Sequence, residues 1–442
     1  MLAMQLARLP GPLPGVVHLV EPRPVPGPGL AYSAPRPEYL LNVRAPFLSA
    51  FPDEPTHFTD WLRANDAAPC QEGFCSRQTY GRYLHELVVS LLARPAANGL
   101  SFHWHPQAAV AAEIASPGSQ ATVHLADGTI LASDRVVLAL GNYPPPSSAG
   151  PGTYLTHPRF HGNPWAPGAL SDIGPNDEVL LVGSGLTAVD VLLGLRADGH
   201  RGPITVVSRH QRWPTVHGPL CTPYPSFYTA ELRGLRTVGE VLTIVRQHVQ
   251  RAIAASQDWR PVFDSIRPDL GAIWAAWPLA EQARFLRHLA SIWAVLRHRS
   301  PPQNDAAVRE MLATGQVRMQ PGRVSGIMVD GEDLLVQTHS QGKKNTLRTR
   351  HVISCTGPLL DYSRIEDPLV VSLRSVGLLL PDPLRLGIQT DEHGALLNAE
   401  QQPSAVLFTL GPSRRPAYFE STAVPELREQ AIALAQELGR RW

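Results

Sequence analysis

Within Asp177 to Pro214 (DEVLLVGSGLTAVDVLLGLRADGHRGPITVVSRHQRWP) a strand, a glycine-rich turn, a helix and a second strand follow one another. Glu178 to Val182 is a short apolar run of the kind buried in a parallel sheet. It enters Gly183-Ser184-Gly185-Leu186-Thr187-Ala188, after which Leu186, Val189, Leu193 and Leu195 keep roughly helical spacing up to Gly199. Pro203 to Ser208 reads as the second strand. This order, in about 30 residues, is what a dinucleotide-binding unit requires. Gly183 permits the tight turn, and Gly185 lets a pyrophosphate approach backbone amides at the helix N-terminus. Ala188 is small enough for close packing of helix on strand. Arg209 and His210 stand after the second strand, where an acid would suit NAD; a basic residue suits the 2′-phosphate of NADP.

At about 150 residues per domain, 442 residues suggest two to three domains. The charge balance of 39 Lys+Arg against 38 Asp+Glu gives no support to a nucleic-acid or membrane-surface partner. All but Lys343 and Lys344 of the basic residues are arginine, which GC-rich codon usage explains, and the chain is read as bacterial. Four cysteines, Cys70, Cys75, Cys221 and Cys355, are too few for a disulfide scaffold and point to a reducing, cytoplasmic setting. No apolar run reaches the roughly 18 residues of a membrane span.

The N-terminus looks like the second half of another such unit. Gln5 to Pro24 reads as a helix end, a Pro/Gly connection and a strand from Val16 to Val20, closing on Glu21 where an acid would bind an adenosine ribose. A solvated strand end is the plainer alternative for Glu21. Aligning this segment with the Gly183 unit puts the counterpart of Gly183 ahead of Met1. The expectation is a native start about 15–25 residues upstream, enough for one strand and turn, and weak FAD binding without it.

Arg135 to Asn142 and His351 to Gly357 are β-branched strands ending in glycine that bracket the Gly183 unit, as crossings between two domains would. The expected fold is α/β, with two Rossmann-like dinucleotide-binding domains, one inserted in the other. The first would comprise residues 1–146 and 351–442 and bind FAD; the inserted NADP domain would be residues 147–350. A helical insert at about 220–300 carries Trp259, Trp274, Trp277 and Trp293. Ala405 to Gly411 reads as a further strand and Val424 to Leu438 as a closing helix.

These motifs resemble a flavoprotein family with two dinucleotide-binding domains, related to FAD-dependent urate hydroxylase and L-aspartate N-monooxygenase. The matching segments include VEPRPVPGPGLAYS (Val20 to Ser33), LLNVRAPFLSAFP (Leu40 to Pro52), SRQTYGRYL (Ser76 to Leu84) and LALGNYPPP (Leu138 to Pro146). They continue with VGSGLTAVD (Val182 to Asp190), WAVLRHR (Trp293 to Arg299), SCTGP (Ser354 to Pro358) and GPSRRPAYFESTAVPELR (Gly411 to Arg428). The resemblance implies FAD, NADP(H), oxygen and a small nitrogen-containing substrate hydroxylated through a flavin peroxide. It implies Asn42 and Val43 near the flavin ring, and Gly411, Pro412, Thr422 and Ala423 facing the flavin or its phosphates. Arg77 and Arg82 would meet an FAD phosphate or an anionic substrate, with a surface ion pair as the equal alternative. The family's first glycine turn is absent, so an NADP-binding pseudoenzyme or reductase without stable FAD is the alternative function.

Other constellations are read as structural. His103-Trp104-His105 is taken as a surface strand, so no metal site is expected. Cys70 and Cys75 lack CxxC spacing and read as free thiols. Arg297-His298-Arg299 suits an anion or a helix C-terminus equally.

Overall fold

Residues 1–65, 70, 73–115 and 120–442 are described here, in a computed structural model. Five parallel strands build the larger sheet, in the spatial order Val317–Pro321, Ile204–Ser208, Val179–Val182, His351–Ser354 and Phe160–His161. All four residues of Val179–Val182 are buried, which is why this strand reads as an unbroken apolar run. Leu186–Ala197 is the helix that follows its turn, and Val189, Leu192 and Leu195 pack on Val179, Leu181, Ile204 and Ile353.

The N-terminal unit repeats much of this plan. Gly15–Val20 pairs in parallel with Leu100–His105, and Val136–Leu138 pairs in parallel with Pro403–Thr409. Each unit carries a three-stranded antiparallel meander. One comprises Ala109–Ile114, Ala121–Leu125 and Ile130–Ser133; the other comprises Arg323–Asp330, Asp333–Ser340 and Lys343–Thr349. Val136–Leu138 follows the first meander and His351–Ser354 the second, so these two strands are counterparts. By the same order, Gly15–Val20 answers Ile204–Ser208 and Leu100–His105 answers Val317–Pro321. No described strand answers Val179–Val182, and no ladder among the described residues joins Gly15–Val20 to Val136–Leu138.

The repeat also moves one boundary. His351–Ser354 was expected to open the returning part of the first domain, at residue 351. It lies inside the five-stranded sheet, with Val179–Val182 on one side and Phe160–His161 on the other. A strand leaving a meander returns to its own unit's sheet, so the first parallel strand back in the N-terminal unit is Pro403–Thr409. One helix closes that unit. Val424–Arg440 packs against Leu2–Ala7, burying Leu434 and Leu438 with Leu6, Leu100, Phe102 and Phe408.

The expected helical insert is present as Val238–Ala254, Arg260–Ser265, Leu270–Ala276, Leu279–His288 and Ala290–Arg297. Its first helix is fixed by a capping box between Thr237 and Glu240. Trp274, Trp277 and Phe285 pack with Phe419, which tethers the insert to the segment leading into Val424–Arg440. No helix among the described residues is long and apolar enough to cross a membrane.

Cys70 and Cys75 are joined in a disulfide, against the expectation of free thiols, with Cα atoms 4.4 Å apart. Gly73, at φ +83°, donates its amide to the Cys70 carbonyl at 3.1 Å. Cys221 and Cys355 are free thiols, the first exposed and the second buried.

Candidate functional site

The Gly183 turn is shaped as the sequence suggests. Gly183 has φ +106°, and a Cβ there would stand 2.5 Å from the Cys355 carbonyl oxygen. Only glycine fits this crossing between turn and neighbouring strand. At Gly185, by contrast, a Cβ would meet nothing within 4 Å. Gly185 is the N-cap of Leu186–Ala197 and brings no side chain to the first-turn amides. Those amides stand at the positive end of a helix, where an anion can be held.

The Ser184 hydroxyl is buried against Ser208 Oγ at 2.9 Å and the Arg212 carbonyl at 2.7 Å, tying the turn to the end of Ile204–Ser208. Leu186 and Thr187 are half-buried in the helix's first turn. Arg209, His210 and Arg212 are exposed just beyond the second strand.

The N-terminal unit places its residues differently from one another. Glu21 is bonded to Arg23, through Oε1 to the Arg23 amide at 3.0 Å and through Oε2 to its guanidinium at 2.9 Å. Val43 belongs to the apolar cluster that holds Leu41, Leu48 and Val424, bringing the Asn42-Val43 segment toward the start of Val424–Arg440. His217 donates from Nε2 to the Asn42 carbonyl at 3.0 Å. Burial lowers the pKa of His217 to about 4, against that hydrogen bond, so the ring is neutral at neutral pH. The link ties the segment to the region entering the helical insert.

Gly411, at φ +84°, donates its amide to Gln430 Oε1 at 2.8 Å. Pro412 is half-buried beside it, and Thr422 is exposed. Ala423 is the N-cap of Val424–Arg440, again without a side-chain cap. The adjacent Ser421 hydroxyl is buried and has no hydrogen-bond partner. A helix start without a side-chain cap, beside an orphaned buried hydroxyl, suits an acidic ligand.

Arg77 does not join either cradle. Its guanidinium meets Asp190 at 3.3 Å and stacks over Trp165 at 5.0 Å. Arg82 is exposed, 5.6 Å over the Trp61 ring. Arg297, His298 and Arg299 are each matched by a carboxylate: Glu426 at 3.1 Å, Glu420 at 3.4 Å and Asp264 at 2.8 Å. These acids, with Asp190 and His217, escape a reading of the cradle motifs. Asp190 had a usable signal, as the one acid in the apolar run AVDVLLGL. The insert forms a half-open cavity of about 570 Å³ lined by Trp259, Phe263, Trp274, Trp293 and Phe419, with Arg246 and Gln250 among its few polar walls.

Residues 1–143 match a family model described as FAD-NAD(P)-binding. Among solved structures, the Kutzneria ornithine N-hydroxylase is similar over 100% of this chain and 96% of its own, at 14% identity and a TM-score of 0.64. The cadaverine monooxygenase of Erwinia amylovora is similar over 100% and 92%, at 13% identity and 0.65. The L-lysine 6-monooxygenase of Pseudomonas syringae is similar over 91% and 87%, at 14% identity and 0.61. The chain has the fold of these flavoenzymes. No curated protein sequence matches it.

Proposed function

We propose that this chain is an FAD- and NADPH-dependent oxidoreductase that hydroxylates a nitrogen atom of a small molecule with oxygen. The observation that carries the reading is the Gly183–Gly185 cradle, open at a helix start between parallel strands, with Arg209 beyond the second strand. In this reading the five-stranded unit holds NADPH and the N-terminal unit holds the flavin. Bound FAD would accept electrons from NADPH and supply the oxygen chemistry.

The protein's own residues bind, orient and exclude water. First-turn amides of Leu186–Ala197 would hold the NADPH pyrophosphate, and Arg209 the 2′-phosphate. The start of Val424–Arg440, with Ser421, would hold the electron-rich end of the flavin. Neutral His217 keeps Asn42 in place through its carbonyl. The walls of the insert cavity favour an amine on a hydrocarbon or aromatic body. The relatives are named instead for ornithine, cadaverine and lysine.

The adenylate side of FAD fits less well. Glu21, expected at the adenosine ribose, is engaged by Arg23 instead. That observation favours a second reading, an NADP-binding reductase or pseudoenzyme that does not retain FAD. One experiment separates the two. The protein is purified, incubated with FAD and desalted, then supplied with NADPH, oxygen and a panel of amines. Retained flavin absorbance with a hydroxylamine product supports the hydroxylase. NADPH binding without retained flavin supports the second reading, and absence of NADPH binding overturns both.

A further inference from the structure

At the edge of the five-stranded sheet, away from the glycine cradle in sequence, two histidines face each other. His161 ends the strand Phe160–His161, and His351 opens its neighbour His351–Ser354. His351 is fully buried and His161 nearly so, with relative exposures of 0% and 8%. Their rings stack at 22°, with His161 Nε2 2.9 Å from His351 Nδ1.

His351 Nε2 lies 3.0 Å from Asp177 Oδ2, a carboxylate that also accepts from the Gly174 amide at 2.8 Å. With the His351 proton on Nε2 for Asp177, the Nδ1 lone pair is turned toward His161 Nε2. Arg159 flanks the group, 3.4 Å from His351 Nε2 and 3.6 Å from Asp172 Oδ2.

We propose that His161 Nε2, His351 Nδ1 and the Asp172 carboxylate bind a divalent metal ion of the zinc type. The three ligand atoms lie within 4.8 Å of one another, with Asp172 Oδ1 3.8 Å from His161 Nε2. Two imidazoles and a carboxylate form a common zinc ligand set, and a water completes four-coordination. The ring nitrogens need to part only slightly, toward the roughly 3.3 Å that two Zn–N bonds of about 2.0 Å impose. Asp177 already occupies the outer-shell place that orients a metal-bound His351 imidazole. The Asp172 side chain is 42% exposed, which gives the ion a way in. Such a site would pin the edge strand and the Asp172 segment to the sheet centre. The ligands lie up to 190 residues apart in sequence, so no spacing motif announces them.

The test uses the untagged full chain and cobalt(II) as a spectroscopic stand-in for zinc. One equivalent of cobalt should bind with the intense visible bands of a four-coordinate site, and zinc should displace it. D172N changes an exposed side chain and should weaken cobalt binding at least tenfold with the fold intact by circular dichroism. H161Q should abolish the four-coordinate spectrum. A six-coordinate cobalt spectrum, or equal affinity in the parent and both variants, overturns the proposal.

Discussion

Arg77, at the start of one unit's helix, reaches Asp190 in the middle of the other unit's helix, 3.3 Å away. The Asp190 side chain is 5% exposed and that of Arg77 is 16%. Burial pushes the Asp190 carboxyl up to about 6, against the Arg77 guanidinium, which pulls it down. The pair therefore holds the two units together at some cost. Removing Arg77 strands a buried carboxylate, so Arg77→Ala should lower stability by about 3 kcal/mol at neutral pH. Asp190→Asn should cost less. The sign with pH follows from the raised value: the folded state holds the extra proton, so this group's contribution declines as pH rises from 3.8 to about 6. Asp190→Asn should flatten that part of the profile in urea unfolding. An unchanged slope would show that Asp190 does not titrate as described.

The two glycines of the Gly183 turn should separate folding from nucleotide binding. At Gly183 a methyl group would meet the Cys355 carbonyl, and φ is +106°. Gly183→Ala should destabilise by at least about 2 kcal/mol and lower the melting temperature. Gly185→Ala should stay within about 1 kcal/mol of the parent. Gly185→Glu should fold normally while losing more than tenfold in NADPH affinity, measured by fluorescence titration. Normal NADPH binding by Gly185→Glu would remove this turn from the cofactor site.

Arg209 is exposed, so replacing it carries little structural cost. Arg209→Ala should weaken NADPH binding about tenfold, or about 1.4 kcal/mol, and leave NADH binding unchanged. Equal losses for both nucleotides would assign Arg209 to something other than the 2′-phosphate.

Patterns confined to one stretch of chain were readable in advance. The Gly183 turn, its two strands and the helix are local, and each residue's environment follows from its neighbours. The likeness of Gly15–Val20 to Ile204–Ser208 was equally readable, because strand and terminal residue types repeat. Relations across long separations were not. Nothing near His351 announces its place in the five-stranded sheet, because only the preceding meander assigns it there. Arg77 carries no mark distinguishing a phosphate from Asp190 as its partner. Cys70 and Cys75 were misjudged from spacing alone, since the bridge depends on the turn at Gly73.

A last prediction concerns Glu420, just ahead of the helix start proposed to meet the flavin. Its side chain is 8% exposed; Trp293 donates to it at 2.7 Å, and His298 stands 3.4 Å away. Burial alone would raise this carboxyl, but His298, Arg297 and Trp293 together bring it down to about 2 from 4.5. A lowered folded value means the stabilisation is present above 4.5 and is lost as pH falls toward 2. Glu420→Gln keeps a carbonyl for Trp293 but removes the charge opposing His298 and Arg297. It should be less stable than the parent at neutral pH, with the gap closing on acidification. Unfolding midpoints measured across the acid limb test this directly. A gap that stays constant with pH would mean that Glu420 acts only as a hydrogen-bond acceptor, and that Arg297 beside it is balanced by Glu426 alone.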